Sequence, residues 1–310
     1  MDRIALQEII DAMQLVNLTP ELALDDVYVD STEVNRPALQ LAGYYDYFDE
    51  HRIQVIGKVE YSYVRTLPED TMLRAYERLF RHHIPCVIFS RGYKVDEEVV
   101  SLALKYGMPI LSTDMNTSKL LARLMRLLEV RLAPMMVIHG VLVDVYGEGV
   151  LILGDSGLGK SEAGLELVKR GHRLVADDAV ELRRLSETEL LGSAPDTTRY
   201  LMELRGIGIV DVKALYGVQS VKDEMAVSMV VRLKYLDRDQ SFDRLGGTEE
   251  YVEYLGNKLT CYTVPVSPGR NIAVILETAA VNFRQKRMGY DAMEELTRRL
   301  EEKMKNSLPQ

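Results

Sequence analysis

Eight residues near the middle of the chain, Gly154-Asp155-Ser156-Gly157-Leu158-Gly159-Lys160-Ser161, have the types and spacing to hold a polyphosphate. They fit the pattern G-x-x-x-x-G-K-[ST]. The glycines let successive backbone N–H groups turn into one concavity that accepts anionic oxygens. The Lys160 ammonium would then reach the β- and γ-phosphates, and the Ser161 hydroxyl would offer an oxygen to Mg²⁺. Such a spelling arises by chance in roughly one chain per hundred of this length, so its surroundings decide. Gly149–Leu153 ahead of it is a short apolar run suited to a buried strand. Behind it, Ala163, Leu167 and Val168 recur at helical spacing. Strand, loop and helix in that order put a phosphate at a helix N-terminus.

A phosphate loop leaves open what happens to the phosphate. Asp177 and Asp178 follow the loop at the end of the strand-like run His172–Ala176. One carboxylate of the pair can hold Mg²⁺ through water, and the other can accept a proton from an attacking hydroxyl. An ordinary aspartate is ionised at neutral pH and can serve as such a base as it stands. Further on comes Leu201-Met202-Glu203-Leu204-Arg205-Gly206-Ile207-Gly208-Ile209-Val210-Asp211. Its two glycines allow backbone to approach a ligand, and Glu203 can complete an Mg²⁺ shell. Taken alone, G-x-G inside an apolar run reads more simply as a bulge or bend. His82-His83 fits surface or helix-end histidines better than a metal pair, because ligands on one helix favour i, i+4 spacing.

These residues need elements to carry them. Ile4–Leu15 reads as an amphipathic helix, and Ile53–Ile56, Val87–Phe89 and Pro109–Leu111 as strands with helical patterns at Asp70–Phe80 and Asp96–Tyr106 between them. That alternation predicts a small α/β domain over residues 1–132. Leu-rich Ser118–Leu132 reads as a helix stopped by Pro134, either a core helix of the first domain or a connector to the second domain, over 133–310. There, Met136–Tyr146 is expected to be one strand that turns at Gly147 into the strand feeding the loop. Ala273–Leu276 reads as a further strand and Thr278–Met288 as a helix. Asp291 and Glu294 read as a capping box for a last helix striped by Met293, Leu296, Leu300 and Met304.

Composition narrows the function classes. The 310 residues are 47% apolar and 27% charged, with a net charge of -9. An acidic balance disfavours a nucleic-acid partner, whose phosphates call for a basic face. No apolar run approaches eighteen residues, so no membrane span is expected, and the opening Met1-Asp2-Arg3-Ile4 does not begin like a signal peptide. Two cysteines far apart, Cys86 and Cys261, predict neither a disulfide framework nor a zinc site and point to the cytoplasm.

The loop, the Asp177-Asp178 pair and the run MELRGIGIVDV together resemble the bacterial HPr kinase/phosphorylase family. Asp243-Arg244-Leu245-Gly246, Pro265-Val266-Ser267-Pro268-Gly269-Arg270-Asn271 and Glu277–Arg284 fit that family's later motifs. The resemblance spans essentially the whole chain and is densest from His139 to Arg284. It implies a catalytic domain resembling the core of phosphoenolpyruvate carboxykinases, with a non-catalytic N-terminal α/β domain. It implies an ATP-dependent kinase for a serine of the phosphocarrier protein HPr. The same site would act as a phosphorylase, removing that phosphate with inorganic phosphate to give pyrophosphate, in control of carbon catabolite repression and sugar uptake. Carried over by position, Gly154–Ser161 and Lys160 hold the nucleotide, and Ser161 and Glu203 bind Mg²⁺. Asp178 is the proton acceptor in one direction and donor in the other, with His139, Lys160 and Arg244 as further catalytic residues and Asp177 as a second carboxylate. Residues 202–211 and Pro265–Arg270 are further catalytic segments, the second used chiefly in the phosphorylase direction. Ser267 stands where the family often has a basic residue, which weakens the expectation for that second activity. The resemblance also implies a homohexamer activated by fructose 1,6-bisphosphate. Two other readings stand beside it: a small-molecule kinase or ATPase built on the same loop, and a nucleotide-sensing module without chemistry.

Overall fold

The computed structural model describes residues 3–235, 250–267 and 269–307. The chain divides into two compact units, Met1–Ala133 and Pro134–Gln310. The expected site residues Arg244 and Pro268 lie outside the described residues.

In the first unit a five-stranded sheet runs in the order Val16–Asn17, Ile110–Ser112, Val87–Phe89, Ile53–Ile56, Val34–Asn35. Only the Val16–Asn17 edge pairs antiparallel. Alternation along the strands fills two cores. Ile88 joins Leu6, Ile9, Leu120, Leu124 and Leu128 on one face. Val87 and Phe89 join Met72, Tyr76, Leu79 and Val99 on the other. The helix Thr117–Arg131 therefore belongs to the core of this unit and is not a free connector: its leucines at i, i+4, i+8 are fully buried. The first helix is shorter than the sequence predicts, Leu6–Met13, because Ile4–Ala5 pairs as a strand with Tyr28–Val29. Among the described residues, no helix is long and apolar enough to cross a membrane.

The second unit is built on a nine-stranded mixed sheet. Its main path runs Arg173–Ala176, Val141–Val145, Glu148–Leu153, Glu224–Tyr235, Leu190–Ser193, Ala179–Arg184, Met135–His139. Asn257–Val266 pairs parallel with Glu224–Tyr235 and antiparallel with Glu250–Tyr254. Val141, Val143, Val145, Val150 and Ile152 point to one face, where Leu167 and Val168 of the helix Lys160–Lys169 cover them together with Leu276 and Ala280. Leu142 and Leu151 point to the other and meet Val180, Leu182 and Leu190 from the antiparallel end of the same sheet.

Two sequence expectations change here. Met136–Tyr146 is not one strand: the chain breaks at Gly140, leaving Met135–His139 at one end of the sheet path and Val141–Val145 near the other. A side chain at Gly140 would begin 2.9 Å from the Ile152 carbonyl oxygen, so only glycine fits the bend. Ala273–Leu276 is not a strand but the first turns of a helix, Ile272–Arg287. The Asn271 side chain accepts from Val274 N at 3.2 Å and caps it. The spacing of buried Ala273, Leu276, Ala280 and Phe283 is helical, so tertiary burial overrides the strand preference of Val274 and Ile275. The last helix, Ala292–Ser307, follows Asp291, whose carboxylate accepts from Met293 N at 2.8 Å, and its Leu296, Leu300 and Met304 are exposed.

Candidate active site

The phosphate loop leaves the strand Glu148–Leu153, whose residues Glu148–Ile152 are buried in the sheet, and enters the helix Lys160–Lys169. Gly154 sits at φ +146°, and a Cβ there would lie 2.7 Å from the Leu233 carbonyl oxygen. The loop can turn off the strand at that point only with glycine. Leu158 anchors the loop from below, 3% exposed in the core. The Lys160 ammonium donates to the carbonyl oxygens of Gly154 at 2.7 Å and Asp155 at 3.1 Å. It is thus held over the loop, as a charge buried among backbone dipoles.

Asp177 ties the loop to the rest of the site. Ser161 Oγ donates to its Oδ1 at 2.8 Å and Glu203 N donates to its Oδ2 at 3.1 Å. Burial pushes this carboxyl above its ordinary value, and the neighbouring Asp178 charge adds to the shift, against the hydrogen bonds from Ser161 and Glu203 N. One buried side chain therefore fixes both residues expected to hold a metal.

Asp178 follows in the left-handed region, φ +66°, an uncommon conformation for a residue with a side chain. The register that pairs His139 with Ala179 brings the histidine beside it. His139 Nδ1 lies 2.9 Å from Asp178 Oδ1 and 3.0 Å from its carbonyl oxygen. The backbone carbonyl oxygen can only accept, so Nδ1 carries the proton. Gly140 N donates to the same carbonyl at 3.0 Å and fixes the turn.

The hairpin Leu201–Leu204 with Gly208–Asp211 closes the site. Met202 and Leu204 are buried while Glu203 faces out, as strand alternation requires, and Arg205 is exposed in the turn that follows. A cleft of about 160 Å³ is lined by His139, Val141, Ser156, Gly157, Gly159, Lys160, Ser161, Glu162, Asp177, Asp178, Glu203 and Arg205. Of the expected residues, the cleft thus gathers Ser156, Gly157, Gly159, Lys160 and Ser161 of the loop, both aspartates, His139, Glu203 and Arg205, while Gly154, Asp155, Leu158, Met202 and Leu204 do not line it. Gly206–Asp211 do not line it; Asp211 caps the short helix Val212–Tyr216, accepting from Ala214 N at 2.9 Å. Nor do Pro265–Ser267, Gly269 and Arg270, where Arg270 Nη1 donates back to the Pro265 carbonyl at 3.0 Å. Arg205, expected as a member of the 202–211 segment, reaches the cleft from the turn that follows Leu204.

The donor set suits Mg²⁺. That ion takes one or two protein oxygens and completes its shell with phosphate and water, and Ser161 and Glu203 are hard oxygen donors lining the same cleft. Among the described residues no group of three or more His, Cys, Asp or Glu is placed to hold a metal ion by itself.

Comparison with known proteins agrees along the chain. Residues 130–300 match a family model described as the HPr Serine kinase C-terminal domain, and residues 4–128 match one described as the HPr Serine kinase N terminus. An HPr kinase/phosphorylase of Lachnoclostridium phytofermentans is 50% identical over 300 residues, covering 97% of both chains. Relatives of the same name in Caldicellulosiruptor bescii and Bacillus cytotoxicus are 47% identical over 297 residues and 42% identical over 300. These two alignments cover 96% of both chains and 97% of both chains, respectively. Among solved structures, an HPr(Ser) kinase/phosphatase from Coxiella burnetii is 30% identical and covers 49% of this chain and 99% of that one, at a TM-score of 0.46.

Proposed function

The chain belongs to the HPr kinase/phosphorylase family, and on that premise we propose that the cleft around Asp178 transfers a phosphoryl group to and from one serine of HPr. The enzyme is an ATP-dependent serine protein kinase and phosphorylase. The observation that carries the residue assignment is the meeting of His139 and Asp178, 2.9 Å apart, in the same cleft as Lys160.

In the kinase direction the loop N–H groups and Lys160 hold the β- and γ-phosphates. The serine hydroxyl attacks the γ-phosphorus, its proton passes to the Asp178 carboxylate, and the bond to the ADP oxygen breaks. His139 donates through Nδ1 to that carboxylate and aims it. In the phosphorylase direction an oxygen of inorganic phosphate attacks the phosphorus of phosphoserine. The serine oxygen leaves with the proton that Asp178 returns, and pyrophosphate is released. Microscopic reversibility makes the base of one direction the acid of the other. Mg²⁺, held by Ser161 and Glu203, would supply charge neutralisation between the phosphates. Asp177 keeps those two residues in place.

Labelled ATP, Mg²⁺ and HPr incubated with the enzyme should place label on one HPr serine. Unlabelled ATP turnover that needs no HPr would instead favour a small-molecule kinase or ATPase. We also place the protein in the cytoplasm, where its two buried free thiols, Cys86 and Cys261, stay reduced. The family resemblance supports a homohexamer responsive to fructose 1,6-bisphosphate; sedimentation and activity with and without the sugar phosphate test this.

A further inference from the structure

We propose that the first unit carries a binding site for a small zwitterion, an amino acid with an apolar side chain. The site is a cleft walled by Asp26 on one side and by Arg81 and His83 on the other. It lies wholly within the first unit and does not depend on the transfer reaction proposed above.

The cleft measures about 500 Å³, against about 160 Å³ for the cleft around Asp178. That is the size range of small-ligand cavities. His51, Pro85 and Met108 line it just ahead of the strands Ile53–Ile56, Val87–Phe89 and Ile110–Ser112. It therefore opens at the amino ends of the parallel strands. Its floor is apolar, because Phe80, Ile84 and Met108 are buried in the core on one face of the sheet.

Charge divides across this floor. Asp26 and Asp30 flank Val27 and Val29, which pack into the core on the other face. Arg81, His82 and His83 follow the helix Glu69–Phe80, whose last carbonyls favour cationic neighbours. Carboxylates from one side of the sheet thus meet a guanidinium and imidazoles from the other. Some of these groups are already engaged. Asp30 is met by His51 Nδ1 at 3.2 Å, and Arg81 by Glu77 at 3.1 Å. The His82 ring is stacked on Tyr45, with centroids 4.8 Å apart. Among the described residues, the Asp26 carboxylate and the His83 ring have no hydrogen-bond or ion-pair partner.

The ligand follows from what these groups offer. An ionised Asp26 can only accept, which suits an ammonium; His83 and the remaining N–H groups of Arg81 donate, which suits a carboxylate. A plain anion would face the aspartates, and a plain cation would face Arg81. An α-amino acid meets both walls, and an apolar side chain gains by covering Phe80, Ile84 and Met108.

Calorimetric titration of the full-length protein tests this with L-leucine, L-methionine and L-phenylalanine. Leucinamide and 4-methyl-2-oxopentanoate serve as analogues that each lack one of the two charges. At least one amino acid should bind with a Kd of about 1 mM or tighter. Each analogue should bind about 10-fold more weakly than leucine. Asp26→Asn and His83→Ala, at exposed positions and checked for unchanged melting profiles, should each weaken the amino acid about 10-fold. Asp26→Asn should also bind leucine and the oxo acid alike, since the group that tells them apart is gone. No binding of any of the three amino acids at about 10 mM would overturn the proposal. Analogues that bind the wild type as tightly as leucine would overturn it too. Undiminished affinity in either variant would place the ligand elsewhere and count equally against it.

Discussion

His139 Nδ1 and Asp178 Oδ1 meet at 2.9 Å between two antiparallel strands, with the aspartate backbone turned to φ +66°. The left-handed turn and the histidine together fix where one exposed carboxylate points. Uncommon backbone at a cleft residue is what a site accepts when orientation matters more than comfort.

If His139 orients Asp178, its loss should affect rate and not binding. His139→Ala is expected to lower kcat about 10- to 100-fold in both directions while the Kd for ATP stays within about twofold. Because His139 and Asp178 are 56% and 67% exposed at the side chain, the melting temperature should hardly move. Steady-state kinetics beside calorimetric binding separates the two effects; a weakened Kd with an intact kcat would assign His139 to nucleotide binding.

The strand that feeds the loop depends on Gly149. A Cβ there would fall 2.1 Å from the Ala226 carbonyl oxygen, a backbone atom that no rotamer change can move. This is where the register of Glu148–Leu153 against Glu224–Tyr235 shifts. Gly149→Ala should destabilise the second unit by about 1–3 kcal/mol. Urea unfolding followed by a probe in that unit measures it, and an unchanged midpoint would mean the strands can separate at that point without loss.

Asp144 gives the second unit an acid-sensitive tie. Burial alone would raise its carboxyl, but the Lys222 ammonium at 3.0 Å, Gly147 N at 2.8 Å and the Arg173 guanidinium at 2.8 Å hold it below the ordinary value. A carboxyl depressed in the fold stabilises above its unfolded pKa, near 4, and that stability is lost as pH falls through the folded value. Asp144→Asn should therefore lower stability at pH 7 by about 2 kcal/mol, and the gap from the wild type should close below about pH 4. Urea midpoints across that range test the sign. A gap that widens on acidification would refute it.

The loop, its strand and its helix were legible because their signals are local: Gly154–Ser161 spells its function and Ala163, Leu167 and Val168 mark the buried helix face. The joining of His139 to Asp178 was not, since it depends on the strand ending at Gly140 and on pairing between strands some forty residues apart, and no residue pattern announces a register. Val274-Ile275 misled as a strand because β-branched residues report an average preference, while Asn271 and the burial of Leu276 decided the outcome locally. The alternation of Met202, Glu203 and Leu204 was present in the sequence from the start. Reading it required knowing that the segment is a strand with one face on the core.

The central claim is that Asp178 handles the proton in both directions of transfer, and Asp178→Asn tests it most directly. With saturating substrates, single-turnover transfer from ATP to HPr and pyrophosphate formation from phosphoseryl-HPr plus inorganic phosphate are measured on the same preparation. Both rates should fall by a similar factor, about 10²–10⁴, with ATP binding preserved. If either direction kept near wild-type rate, Asp178 would not be the shared acid and base.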